Sequence, residues 1–310
     1  MSIYSTKIKK LLQRQLPFPQ KSPEWIQARY NLLTSSDVSS ALDNNTYKSR
    51  LELLKQKCLP IGDINVNTST SIQWGEKFEP IARDIFKKLT NQEVYESGLI
   101  LHERYKWLGA SPDGLLNSDK LLEIKCPYHR LIAKNKIPIY YWIQVQIQME
   151  CCDIEETYFL QCKFEEKQQK ENTDIHEFDG FNNGIYWYLK DYTLETVKRD
   201  KKWFNDNIKK MEEFWMSVLY YRLHGLGKLM LDVGNNLVYY NLSTNLIEAP
   251  DNTIFNILHS NNLNNDTPLS RPNNLNNNTP LSRPNNLNND TPLSRPNNLN
   301  NDTPLSRPNN

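Results

Sequence analysis

Asp113, Glu123 and Lys125 are the residues whose types and spacing fit a chemistry. Leu121 to Cys126 is short, apolar and bounded by turn residues, which predicts a buried strand. Side chains two apart on a strand share a face, so Glu123 and Lys125 point one way and Ile124 points into the core. Asp113 lies in a Pro-Asp-Gly turn just before that strand, placed to return beside Glu123. Two carboxylates about 4 Å apart repel by roughly 4 kcal/mol at an effective dielectric of about 20. One lysine offsets part of this. A hard divalent cation offsets it fully, and carboxylate oxygens are the ligands magnesium prefers. The backbone carbonyl of Ile124 offers a third protein ligand. Lys125 then stands near a metal-bound water, placed to help deprotonate it or to stabilise charge on a phosphate. The chemistry expected is metal-assisted hydrolysis of a phosphodiester.

A Glu-x-Lys on a strand is also a common solvated pair, and Pro-Asp-Gly a common turn, so longer strings must decide. Asp followed by Glu-x-Lys after an apolar strand resembles the PD-(D/E)xK nuclease signature. Ser-Pro-Asp-Gly-Leu from Ser111 and Glu-Ile-Lys-Cys-Pro from Glu123 are narrower. They resemble the lambda exonuclease family, also called YqaJ-type viral recombinases. Trp25-x-x-x-Arg29 followed by Thr34-Ser35-Ser36 is similar to that family's segment for a terminal 5′-phosphate. By position the resemblance implies Arg29 and Ser36 as phosphate ligands, with Ser111 joining them from the turn. Guanidinium binds phosphate bidentately, and hydroxyls at a helix N-terminus complete such a pocket. The alternative is that Ser36 only caps a helix and Arg29 is solvated.

Trp74-Gly75-x-x-x-Glu79 followed by Ala82-Arg83 resembles the family helix that supplies an acidic residue. The resemblance implies Glu79, positioning Lys125 or the metal-bound water. Tyr-x-x-Gln-x-Gln is matched by Tyr141, Gln144 and Gln146, which implies Gln144 at the scissile phosphate or the metal-bound water. Helix-to-sheet hydrogen bonding is the structural alternative. Where the family often has an aspartate before the Ser-Pro-Asp-Gly turn, this chain has Glu103, which keeps the charge on a longer side chain and implies a supporting role.

The elements that must hold these residues follow from pattern. Ser22-Pro23-Glu24-Trp25 opens a helix, with Ser as N-cap and Pro in the first turn. Thr34 to Asp37 opens another. Tyr47 to Leu59 predicts an amphipathic lysine-rich helix, and Ile61 to Thr70 a polar loop. Trp74, Phe78, Ile81, Ile85 and Leu89 fall at helical spacing, with Pro80 expected to kink or restart that helix. Val94 to His102 and Trp107 to Ala110 contain strand candidates. Pro138 starts a helix to about Cys151, with Tyr141, Gln144 and Gln148 near one face. Thr157 to Phe164 alternates as a half-buried strand, Gly184 to Leu189 is another, and Leu194 to Leu223 predicts a long helix. Gly225-Leu-Gly227-Lys228 is not a phosphate loop, because Leu229 stands where Ser or Thr would bind magnesium.

Composition sets the outer bounds. The 310 residues are 38% hydrophobic with a net charge of +1, enough apolar content for a core and no global basic signature. Five cysteines without a Cys-x-x-Cys pair speak for a reducing compartment and against a zinc ribbon. No signal peptide or membrane span is read, so an intracellular, soluble protein with no membrane partner is expected. Residues 1–21 form a basic N-terminal arm, read as a frayed helix, and 22–224 the nuclease-like domain. Residues 225–260 form a linker with an extra strand at Leu237 to Tyr240. From Asn261 a unit of Asn-Asn-Leu-Asn-Asn-Asp-Thr-Pro-Leu-Ser-Arg-Pro restarts at Asn273, Asn285 and Asn297. Its composition cannot bury enough surface to fold, so 261–310 are expected as a disordered tail.

The fold expected is α/β, a PD-(D/E)xK core with a mixed central sheet flanked by helices. The resemblance implies a magnesium-dependent exonuclease, with manganese as substitute, acting 5′ to 3′ on ends of double-stranded DNA in recombination or repair. It also implies a homotrimer and a single-strand annealing protein as partner. An endonuclease of the same fold and a catalytically inactive DNA-binding module are the alternatives.

Overall fold

A computed structural model describes residues 5–60, 69–170 and 178–235. The chain begins with α1 (Thr6–Arg14), α2 (Pro23–Tyr30), β1 (Leu33–Thr34), α3 (Ser35–Ala41), α4 (Arg50–Cys58) and α5 (Thr70–Thr90). Five short strands follow: β2 (Val94–Tyr95), β3 (Ile100–Leu101), β4 (Leu108–Ala110), β5 (Gly114–Leu116) and β6 (Lys120–Lys125). Then come α6 (Ile139–Cys152), β7 (Glu156–Lys167), β8 (Asp179–Asn182), β9 (Ile185–Lys198) and α7 (Lys201–Gly234). The main sheet has the order β2-β5-β6-β7-β9-β8 and a smaller sheet the order β1-β4-β3. The β6–β7 and β1–β4 pairs are parallel and the others antiparallel. This is the mixed sheet with flanking helices expected of the class.

The two faces of β6 explain its place at the centre. Leu122 and Ile124 face α5 and join Phe78, Ala82, Ile85 and Phe86, while Leu121 joins Val145 and Met149 of α6. A strand buried on both faces is near-continuously apolar, as Leu121 to Ile124 is apart from Glu123. The parallel β6–β7 pair requires a crossover, and α6 supplies it.

Four local expectations change. Pro80 does not restart its helix, because α5 runs from Thr70 to Thr90 with the proline inside it. Phe78 and Ala82, on either side of the proline, are fully buried in one cluster, and that packing offsets the hydrogen bond the proline lacks. The N-terminal helix is not frayed: Ser5 caps α1, Ile8 and Leu11 are buried, and Arg14 donates to the carbonyls of Leu101 and Cys151. The stretch from Leu194 is strand until Lys198, paired along β7, and the last helix starts only after the Asp200 N-cap. The chain turns at Gly225, where φ is 82°, but the helix resumes and buries Leu229 and Asp232. The strand read at Leu237 to Tyr240, residues 61–68 of the polar loop and the repeats from Asn261 lie outside the described residues.

Candidate active site

The acidic pair is built by strand register. β5 runs antiparallel to β6 with Gly114 opposite Leu122. Asp113, one residue before β5, therefore sits beside the far end of β6, and its Oδ2 accepts the Ile124 N–H at 2.7 Å. The N–H and C=O of one residue leave an extended strand on the same side, so the Ile124 carbonyl shares the side of Asp113. Gly114 makes this approach feasible, since a Cβ there would lie 2.3 Å from Val94 Cγ1.

Glu123 is 1% exposed and receives three donors. Lys125 Nζ stands 2.5 Å from Oε1, Gln144 Nε2 donates to Oε1 at 2.6 Å, and Gln148 Nε2 donates to Oε2 at 2.6 Å. Burial and then the charge of Glu123 push the Asp113 carboxyl well above the usual carboxylate range, against the pull of Lys125. Burial draws the Lys125 ammonium down, but Glu123 and Asp113 outweigh it and the net shift is upward. Asp113 and the buried Glu123 thus share one ammonium, which offsets only part of their mutual repulsion.

This donor set fits a hard divalent ion. A carboxylate has about four lone-pair sites, and Glu123 uses three, which leaves one for an ion. Among the described residues no cluster of three or more His, Cys, Asp or Glu side chains forms a metal cage.

The remaining predicted residues divide. Glu79 accepts from Arg83 at 2.9 Å rather than from Lys125, and its charge lies close enough to raise the Asp113 carboxyl further. Gln144 binds Glu123, so the helix-to-sheet bond expected as the alternative is present. Gln146 turns away, donating to the Lys198 carbonyl and accepting from Asp200 N–H. Glu103 is not brought to the cluster: its side chain is 70% exposed and pairs with Arg14 at 2.8 Å. His102 is the reason, because its Nδ1 accepts from Arg104 and Tyr105 N–H and closes a turn that puts Glu103 on the rim. Gln148 was legible only as a neighbour of Gln144 on one helix face, and its direct hold on Glu123 comes from the crossing of α6 over β6.

A second cluster forms where β1 and β4 end side by side. Parallel pairing of Thr34 with Gly109 carries Ser36 and Ser111 to neighbouring exits. Arg29 Nη2 donates to Ser36 Oγ at 3.0 Å and its guanidinium lies 4.4 Å from the Trp25 ring centre. Ser111 Oγ is buried and has no hydrogen-bond partner among the described residues, an orphaned donor at the same edge. Burial lowers the Arg29 guanidinium and Asp37 opposes that.

The fold and this arrangement define a class, the mixed-sheet α/β nuclease fold. It is similar to a crystal structure of an alkaline exonuclease from Laribacter hongkongensis, with a TM-score of 0.50 and 22% identity, covering 68% of this chain and 100% of that one. Residues 24–155 match the family model described as YqaJ-like viral recombinase domain. An uncharacterized protein of Acanthamoeba polyphaga mimivirus is 26% identical over 70% of this chain and 55% of its own length. A protein of African swine fever virus is 28% identical over 41% of this chain and 44% of its own. The chain thus spans about half the length of the curated viral relatives it matches.

Proposed function

We propose that the protein is a magnesium-dependent exonuclease that hydrolyses linear double-stranded DNA, 5′ to 3′, from a 5′-phosphorylated end. The supporting observation is the end of β6, where buried Glu123 meets Lys125 beside Asp113. Asp113, Glu123 and the Ile124 carbonyl would hold the ion, with manganese as substitute. When bound, the ion would supply Lewis-acid stabilisation of the reacting phosphate. Lys125, held as an ammonium, offers N–H donors to phosphate oxygens, which is electrostatic stabilisation of the charge that develops in hydrolysis. Gln144 and Gln148 fix the Glu123 carboxylate. Glu79, held by Arg83, adds negative charge near Asp113.

Arg29, Ser36 and Ser111 would take the terminal phosphate, a role that suits an arginine stacked on Trp25 and an unpartnered hydroxyl. A homotrimer, a single-strand annealing partner and a place in recombination or repair belong to the same reading. No helix among the described residues is long and apolar enough to cross a membrane. Linear duplex labelled at its 5′ ends tests the polarity. Early release of labelled mononucleotide supports the proposal, whereas nicking of closed circular duplex at a similar rate would replace it with an endonuclease.

A further inference from the structure

This inference rests on the nuclease reading of the end of β6 and concerns a cavity that the proposed chemistry does not use. The cavity measures about 690 Å³, the size of a small-molecule site. It opens where the chain leaves β6, just after Lys125. Its walls include Trp74 of α5, Tyr128 and His129 of the following loop, and Phe164 of β7. The rings are continuous: Tyr128 lies 4.9 Å from Trp74 and 4.0 Å from His129, centre to centre. The Trp74 Nε1 donor is buried and has no hydrogen-bond partner among the described residues. The β7 and β9 sides of the wall, with Lys163 and Lys190, lie beyond residues 24–155, the span that matches the family model.

Two cations beside the cavity have no carboxylate partner among the described residues. Lys163 donates to the carbonyls of Pro127 and Tyr128. Arg130 donates to Gln161 Oε1 at 2.7 Å and to the Leu131 carbonyl at 3.1 Å. Burial and then the charge of Arg130 draw the Lys163 ammonium down, so each positive group feels the other. The glutamates of the wall are already matched: Glu165 pairs with Lys190 at 3.3 Å and Glu166 with Lys77. Asp191, the remaining acid of the wall, is exposed and accepts the Tyr192 N–H. Arg130 also lies 5.6 Å from the Tyr141 ring centre that Lys125 faces at 5.0 Å. Cationic side chains therefore run from the reacting cluster to the wall of the cavity.

We propose that the cavity is a subsite for one unpaired nucleotide of a DNA strand, its base held against Tyr128 and Trp74 and its phosphate by Arg130 and Lys163. Aromatic walls ask for a flat partner, and cations without carboxylates ask for an anion. A nucleotide supplies both. Bases inside a duplex have both faces covered by their neighbours, so only an unstacked base enters. The Trp74 N–H would meet an acceptor on the base edge, which every base offers. Stacking accepts any base, as digestion of unselected sequence requires. The run of cations back to Lys125 selects a strand over a free nucleotide.

The test is equilibrium binding, in chelator, of a labelled oligothymidylate and of an abasic strand of equal length. Wild type should bind the oligothymidylate about fivefold more tightly or better. Tyr128→Leu should weaken oligothymidylate binding by about 5- to 100-fold and leave abasic binding unchanged, while Tyr128→Phe retains both. Arg130→Gln should weaken both strands and lower the salt slope of log K by about 0.7. If Tyr128→Leu melts below wild type, His129→Ala decides, because that residue is exposed. It should show a smaller loss confined to the oligothymidylate, and no selective loss there overturns the inference. Equal binding of the two strands by wild type, or unchanged affinity in a natively melting Tyr128→Leu protein, also overturns it. So does thymidine monophosphate that competes as well as the oligomer at equal nucleotide concentration, which would make the cavity a mononucleotide site. Digestion of linear duplex in magnesium keeps the two readings apart. A digesting enzyme that ignores bases overturns this inference alone. Base-dependent binding through Tyr128 without digestion supports the subsite and overturns the nuclease reading.

Discussion

Gln148 holds a buried carboxylate oxygen of Glu123 from a helix, and its removal leaves that oxygen without its donor on a side chain only 1% exposed. Partners behind a metal ligand commonly set affinity or activity by 10- to 100-fold, about what Gln148→Leu should show here. The magnesium concentration for half-maximal activity should rise by about that factor, and an unchanged titration would mean that Lys125 and Gln144 suffice.

Asp37 gives a residue-scale prediction in pH. Burial pushes its carboxyl up, but Lys57, Arg29 and the Thr34 hydroxyl outweigh this and bring it down to about 2. A depressed carboxyl contributes stability above its unfolded value of about 3.9, and loses it as pH falls through the folded value. The contribution is on the order of 2 kcal/mol. Urea unfolding of wild type against Asp37→Asn at pH 6 and again near pH 2 should show the difference between the two proteins shrink in acid. A difference independent of pH would contradict the ion pair.

At the scale of elements, the site depends on a turn and two strands that meet without room to spare. A Cβ on Gly114 would fall 2.3 Å from Val94 Cγ1 and 3.3 Å from Leu122 Cβ. Gly114→Ala should destabilise the protein by about 1–3 kcal/mol and lower activity, because separating β5 from β2 moves Asp113. A full-strength enzyme with wild-type melting would show that the turn tolerates the shift. The same elements show what was legible beforehand. The strand of Glu123 and Lys125, the Asp113 turn and the Pro138 start of α6 are local patterns, and the structure has them. The Pro80 helix and the boundary at Lys198 were not, because each is decided by packing: Phe78 and Ala82 anchor one on both sides of the proline, and β7 extends the other as strand. Glu103 matched a family offset in letters, but the His102 turn sends it to the rim beside Arg14.

Across the whole molecule, a net charge of +1 means that the proposed DNA contact would rest on local groups such as Arg29, Lys125 and Arg130. Arg130 lies 5.6 Å from the Tyr141 ring that Lys125 also faces at 5.0 Å, so positive charge gathers on that side of the site. The fold itself was readable because family strings and strand periodicity agree. Side-chain destinations such as those of Gln146 and Gln148 required the helix crossing that no single sequence displays. The most direct measurement is release of acid-soluble nucleotide from linear 5′-phosphorylated duplex DNA, in magnesium and in chelator, by wild type and by Lys125→Ala. The account predicts digestion by wild type in magnesium, none in chelator, and a fall of about 100-fold or more in Lys125→Ala with native melting retained. Equal digestion in chelator, or an undiminished Lys125→Ala enzyme, would contradict it.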